Sequence, residues 1–342
     1  MTRPSPSTAG KRGNALKGAI IGWVVFLFLG VVTSSWIFGE GSAQQAESDR
    51  LVQPQVGENA VGGKKDRNSF HSTNGKIIRR EKLAVPSPYG KKVDLYRIRY
   101  LSDGAQVVGF LSKPRHVKGR IPAIIYNRGG IIETSKIRKI TLKHIAKLAS
   151  NGYVVAASQY RGVDGGGGLP DLAGKDVRDV LNLIPLVDGL PYVDRNQKVM
   201  LGFSRGGMMT YLAIKQGAEV RAAAVIGGVS DLTALYEQSG DVFRNPLNKL
   251  VGDPLLDAEE YKERSAVEWP GKLKVPLLLM HGLNDRTVRP EHSERLAEAL
   301  SKLGYEHRLV LVPGGSHYLY SHPKKRDEEI LRWFDRYLAE SS

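Results

Sequence analysis

Residues 199–207 read Val-Met-Leu-Gly-Phe-Ser-Arg-Gly-Gly. An apolar run enters a Gly-x-Ser-x-Gly motif, and helical periodicity follows from Arg205 to Lys215. A strand that turns sharply into a helix would leave Ser204 at a strained apex with its hydroxyl exposed, with Gly202 and Gly206 clearing space where side chains would collide. The backbone N–H of Arg205 would then lie at the positive end of the helix, where an oxyanion binds. The chemistry to expect is nucleophilic, with Ser204 as the attacking group.

Such a serine needs a base, and in strand–turn–helix sites the chain order is nucleophile, acid, histidine. Four histidines follow plausible acids: His292, His307, His317 and His322. His292 falls in a helical pattern and His307 at the start of a strand. His317 lies in Pro313-Gly314-Gly315-Ser316-His317, a loop just after the last core strand, with His322 the runner-up in the same loop. Loops at the carboxyl ends of strands are where an open α/β sheet places its site. The acid should orient the imidazole and stabilise imidazolium. Asp285, in His281-Gly282-Leu283-Asn284-Asp285 after an apolar strand, is the expected acid. Asp231 is the alternative, and either carboxylate could instead cap a helix.

A second oxyanion donor is expected from Tyr126-Asn127-Arg128-Gly129-Gly130, where glycine lets backbone approach a carbonyl closely. Gly129 is the expected donor, and Tyr126 and Arg128 are candidate substrate contacts. Arg128 would bind a substrate carboxylate or pair with a nearby acid. Gly165–Gly168 has no following G-x-x-G and is read as a mobile rim loop. Neither a zinc-protease nor a phosphate-loop motif is present, so no metal and no cofactor is expected.

The elements that must position these residues alternate regularly. VDLYRIRY and AQVVGFLS flank Ser102-Asp103-Gly104, which predicts a hairpin. Strand-length apolar runs follow at 123–126, 153–157, 199–201, 222–226, 275–280 and 308–312, interleaved with helical periodicity at 137–150, 175–187, 205–215, 290–303 and 326–338. This predicts an α/β fold, a mostly parallel sheet with helices on both faces. Residues 227–274 break the alternation. Cysteine is absent, which excludes disulfides and thiolate chemistry. The net charge is +15, but no nucleic-acid-binding motif accompanies it, so no nucleic-acid partner is expected. Oligomeric state is left open.

Ahead of this body, residues 18–39 run without a charge. As a helix they would extend about 33 Å, enough for a hydrocarbon core of about 30 Å. Arg3, Lys11, Arg12 and Lys17 precede them without an acid, so residues 1–17 are expected in the cytoplasm and the body outside. The expected division is a basic tail at 1–17, a transmembrane signal anchor at 18–39 in contact with membrane lipid, a linker at 40–76, and a catalytic domain at 77–342. The alternative is a signal peptide cut after Gly41-Ser42-Ala43, leaving a secreted or periplasmic protein.

The ordered blocks over residues 90–340 resemble the catalytic domain of the prolyl oligopeptidase family of serine peptidases, within the α/β-hydrolase superfamily. They are Ser102-Asp103-Gly104, Tyr160-Arg161-Gly162, Gly174-Lys175-Asp176, Pro191-Tyr192-Val193-Asp194, Gly202-Phe203-Ser204-Arg205-Gly206-Gly207, His281-Gly282-Leu283-Asn284-Asp285 and His317. The resemblance implies an α/β-hydrolase fold, a Ser204–His317–Asp285 triad, an acyl-enzyme intermediate and short peptides as substrates. Two departures stand out. About 50 residues separate the apolar segment from the first hairpin, too few for the β-propeller that filters substrates in many members. Where some members carry an oxyanion tyrosine, this chain has Arg128, so that role would fall to backbone N–H groups or to Tyr126. These departures keep esters, including acyl groups on envelope polysaccharide, as the alternative substrate. A non-catalytic binding module is the alternative from another class.

Overall fold

The computed structural model describes residues 73–131 and 133–339. The expected tail, anchor and nearly all of the linker lie outside those residues. Among the described residues no helix is long and apolar enough to cross a membrane.

Nine strands form one sheet. They are β1 (Ile77–Leu83), β2 (Val93–Ser102), β3 (Ala105–Pro114), β4 (Ile121–Asn127), β5 (Val154–Ser158), β6 (Val193–Phe203), β7 (Ala222–Ile226), β8 (Leu277–Gly282) and β9 (His307–Val312). Their spatial order is β1-β2-β3-β5-β4-β6-β7-β8-β9. The first three strands are antiparallel, and β3 pairs antiparallel with β5. From β5 onward every neighbouring pair is parallel. The β2–β3 hairpin turns at Asp103-Gly104, where both residues have positive φ, as a two-residue hairpin turn that follows the strand twist requires.

Nine helices are described: α1 (Lys139–Ser150), α2 (Val177–Leu181), α3 (Leu183–Asp188), α4 (Arg205–Lys215), α5 (Leu232–Gln238), α6 (Asp241–Leu250), α7 (Ala258–Glu263), α8 (Glu291–Lys302) and α9 (Pro323–Ala339). Side chains alternate across a strand, and the core divides accordingly. Ala123 and Ile125 of β4 pack with residues of α2, α3, α4 and α8, whereas Ile124 and Tyr126 pack with α1 and α9. Burial on both faces is why the parallel strands read as continuous apolar runs.

Three sequence expectations are corrected. The helical stretch 175–187 is two short helices meeting at Asn182; Pro185 lacks an N–H and cannot continue one hydrogen-bond ladder across the junction. Strand β6 starts six residues before its apolar run, because its Asp194–Gln197 stretch lies at least partly in solvent and carries no hydrophobic signal. The Gly165–Gly168 stretch is tied to the hairpin: Arg99 Nη1 donates to Gly165 O at 2.9 Å and Gly167 N to Gln106 O at 2.8 Å. Backbone bonds of this kind leave no trace in composition.

Candidate active site

Strands β4, β6, β8 and β9 all run the same way, so the loops that leave their carboxyl ends share one edge of the sheet. Residues 128–130, Ser204, Asp285 and His317 sit on these loops.

Ser204 joins β6 to α4 with φ 53° and ψ −119°. A non-glycine residue at such φ costs on the order of 1–3 kcal/mol and needs surroundings that impose it. Ser204 N donates to Ile226 O at 3.0 Å, and Ser204 O accepts from Gly207 N at 2.8 Å. A side chain at Gly206 would collide with the Asn127 carbonyl. Asn127 Nδ2 also donates to Thr210 Oγ1, and Thr210 Oγ1 to Gly206 O, each at 2.8 Å. The end of β4 is thereby clamped onto the first turn of α4. That turn has N–H groups with no intrahelical partner, and the Arg205 N–H is the one next to the serine.

Asp285 accepts from the His317 ring Nδ1 at 2.6 Å through Oδ2. Its Oδ1 accepts from the amides of Thr287 at 2.9 Å and Val288 at 3.1 Å. His281 Nε2 lies 3.2 Å from Oδ2 and 2.9 Å from Val288 O. A carbonyl only accepts, so Nε2 of His281 carries the hydrogen, and Nδ1 accepts from Ser293 Oγ at 2.7 Å. Burial alone would raise the Asp285 carboxyl. The hydrogen bonds from His281, His317 and the Val288 amide overcome it and hold the group well below the usual carboxylate range. Asn284 N donates to Gly315 O at 2.9 Å and Leu283 N to Val312 O at 3.0 Å, which fastens the acid's loop to the histidine's. Among the described contacts no hydrogen bond joins Ser204 to His317; the Ser204 hydroxyl faces Tyr318. Catalytic hydrogen bonds often tighten only when substrate is bound.

The other candidates sit elsewhere. Asp231 caps α5, accepting from Ala234 N at 2.9 Å, and pairs with Arg295 at 2.6 Å. His322 is bonded to Ser321 Oγ at 3.0 Å. His292 is buried in α8, and His307 opens β9 at the opposite edge. Tyr126 is buried, stacks on Phe203 and lies 3.4 Å from His144 Nδ1. With Phe203, Tyr318 and Tyr320 it lines a cleft beside Gly129.

Arg128 is 3% exposed. Its guanidinium donates to Gln159 O at 2.6 and 3.1 Å and to Gly129 O at 3.0 Å, and lies over the Tyr160 ring. Burial and the nearby Arg205 charge pull it down to about 10. Its hydrogen bonds go to backbone carbonyls, so it holds the Gly129-Gly130 turn in place. The Arg205 side chain pairs with buried Asp176 and, like Arg128, lies over the Tyr160 ring, 4.8 Å from its centroid. Sequence reasoning assigned nothing to His281 or Tyr318. A histidine four residues before the acid in one loop was a legible signal for the first, and the second had none.

Sheet order, the strained serine elbow and the carboxyl-edge loops together define a serine hydrolase of the α/β-hydrolase fold. The family model described as Peptidase_S9, prolyl oligopeptidase family, matches residues 140–341. The chain belongs to that family. The peptidase YtmA of Bacillus subtilis (strain 168) is 36% identical over 259 residues, which are 75% of this chain and 98% of that one. The peptidase YuxL of the same organism is 28% identical over 289 residues, 80% of this chain and 42% of its own. The structure of Pyrococcus horikoshii acylaminoacyl peptidase in its orthorhombic crystal form is alike in fold, with a TM-score of 0.63 and 24% identity over 74% of this chain and 43% of that one. The chain thus spans nearly all of one relative and less than half of the other two.

Proposed function

We propose that the protein is an exported, membrane-anchored serine peptidase that cleaves short peptides through an acyl-enzyme. The observation that carries the reading is the 2.6 Å Asp285–His317 contact at the same sheet edge as the strained Ser204 elbow. Ser204 Oγ attacks the scissile carbonyl as His317 Nε2 takes its proton. Asp285 holds the Nδ1–H and stabilises the imidazolium. The amides of Arg205 and Gly129 receive the oxyanion. His317 returns the proton to the leaving amine, the acyl-enzyme forms, and water then attacks it by the same route in reverse. The uncharged 18–39 segment behind a basic tail supports anchoring with the body outside.

The test is a fluorophosphonate probe followed by turnover of a panel of aminoacyl-amide and acyl-ester substrates. A single label on Ser204, with amide turnover abolished in Ser204→Ala, is expected. Labelling at another residue overturns the assignment, and turnover confined to esters replaces the peptidase reading with an esterase one.

A further inference from the structure

Tyr318 follows the histidine of the site, and its backbone is unusual. Tyr318 and Leu319 have φ of 61° and 55°, two consecutive non-glycine residues in the left-handed region. Conformations of this kind persist only where the surroundings over-determine them. Here Leu319 is fully buried, and Arg326 Nη1 donates to Tyr318 O at 3.0 Å. Arg326 is itself held by Asp327 at 2.7 Å, and Asp327 by Lys147 of α1 at 2.6 Å. The backbone is thus locked by groups from α1 and α9.

The result is a fixed place for the phenol. Its ring stacks on His317 with centroids 4.3 Å apart and meets Phe203 edge-on at 5.7 Å. Its hydroxyl fills the space over Gly129: a Cβ built there would collide with Tyr318 Oη, and would also lie 2.9 Å from the Phe203 carbonyl that precedes Ser204. The hydroxyl therefore sits between the two loops that supply the backbone oxyanion donors. Burial, with the Tyr320 neighbour, raises this phenol to about 12 against the opposing influence of Ser204 and Arg128. It stays protonated at neutral pH and can only act as a neutral donor toward an anion.

Resting on Ser204 as the nucleophile, we propose that the Tyr318 hydroxyl is a third donor to the oxyanion that forms there. The carbonyl oxygen gains its charge when Ser204 Oγ adds, and Tyr318 Oη–H hydrogen-bonds to that oxygen beside the Arg205 and Gly129 amides. The phenol keeps its proton throughout, and the bond is released when the carbonyl reforms.

The experiment compares Tyr318→Phe with the parent in the full-length protein on one amide substrate, alongside Ser204→Ala. Phenylalanine keeps the stacking on His317 and removes only the donor. Expected are a kcat about 10²–10³-fold lower, as for loss of one oxyanion donor, a KM within about threefold, and an unchanged Tm. A peptide aldehyde, which binds as an oxyanion-bearing adduct, should lose affinity in step with kcat, while affinity for the product carboxylate stays as in the parent. A merely structural tyrosine would not split these two affinities. A Tyr318→Phe kcat within threefold of the parent, or above it, overturns the proposal. If Ser204→Ala is inactive in that case, the serine reading stands and the donor assignment alone falls. If Ser204→Ala turns over substrate, the serine reading falls first.

Discussion

Asp285→Asn separates the electrostatic role of this carboxylate from its structural one. The carboxyl group meets four donors, divided by oxygen: the Thr287 and Val288 amides on Oδ1, and the ring nitrogens of His317 and His281 on Oδ2. An asparagine that keeps its carbonyl toward the two amides must turn its NH₂ toward the two histidines. His317 can answer by moving its hydrogen to Nε2, so that Nδ1 accepts. Nε2, the nitrogen proposed to take the serine's hydrogen, is then already protonated and cannot do so. Turnover should fall about 10⁴-fold, the cost of holding the wrong tautomer. His281 has no such escape, because its Nε2–H is held by the Val288 carbonyl 2.9 Å away. The resulting N–H to N–H confrontation, at the 3.2 Å now spanned by an attraction, should cost about 1–3 kcal/mol of stability. That is a Tm loss of a few degrees for a domain of this size. Steady-state kinetics and calorimetry on one preparation measure both. Activity within tenfold of the parent would refute the tautomer argument, and a Tm drop beyond about 15 °C would show that the loss of activity came from unfolding.

Three further outcomes can be checked independently. Asp231→Asn should keep activity within about twofold of the parent, since it caps α5 and pairs with Arg295; Asp231→Ala should lose about 0.5–2 kcal/mol by calorimetry. His292 is 2% exposed, and neither ring nitrogen has a hydrogen-bond partner among the described residues; burial lowers it to about 4. The unfolded chain binds this proton near pH 6.5 and the folded one does not, so its contribution is complete above that pH. It is lost as pH falls toward 4, on the order of 3 kcal/mol; His292→Phe should flatten urea-derived stability over that window, and an unchanged slope would exclude the residue as the cause. Full-length protein should stay with membranes through high-salt and alkaline washes, because apolar attachment is insensitive to both; release by the washes, with a mature terminus near Gln44, would instead mark a cleaved signal.

What could be read from the sequence followed what leaves a side-chain pattern. Strand β7 and helix α4 occupy the very residues whose apolar runs and helical periodicity marked them, because both are buried almost throughout. Strand β1 left no such mark. Its IIRREKL is exposed along most of its length, as an edge strand guarded by charge would be. The gap is the same within the site. Ser204, Asp285 and His317 announce themselves by residue type and by position after a strand. Arg128 was read by its charge, and a guanidinium suggests an anion. What it meets is a set of backbone carbonyls, which every residue carries and no sequence displays.

Tyr318 shows the same limit from the other direction. Nothing in Ser-His-Tyr-Leu-Tyr foretells two left-handed residues in a row, because the conformation is held by Arg326 of α9, a helix that starts just beyond it, and through Asp327 by Lys147 of α1, far back along the chain. Arg326 reaches the Tyr318 carbonyl only because Asp327 and Lys147 hold it there. The phenol reaches Gly129 only because that glycine has no side chain to exclude it. A substitution at Arg326, Asp327 or Lys147 should therefore be felt at the proposed oxyanion site, without touching Ser204, Asp285 or His317.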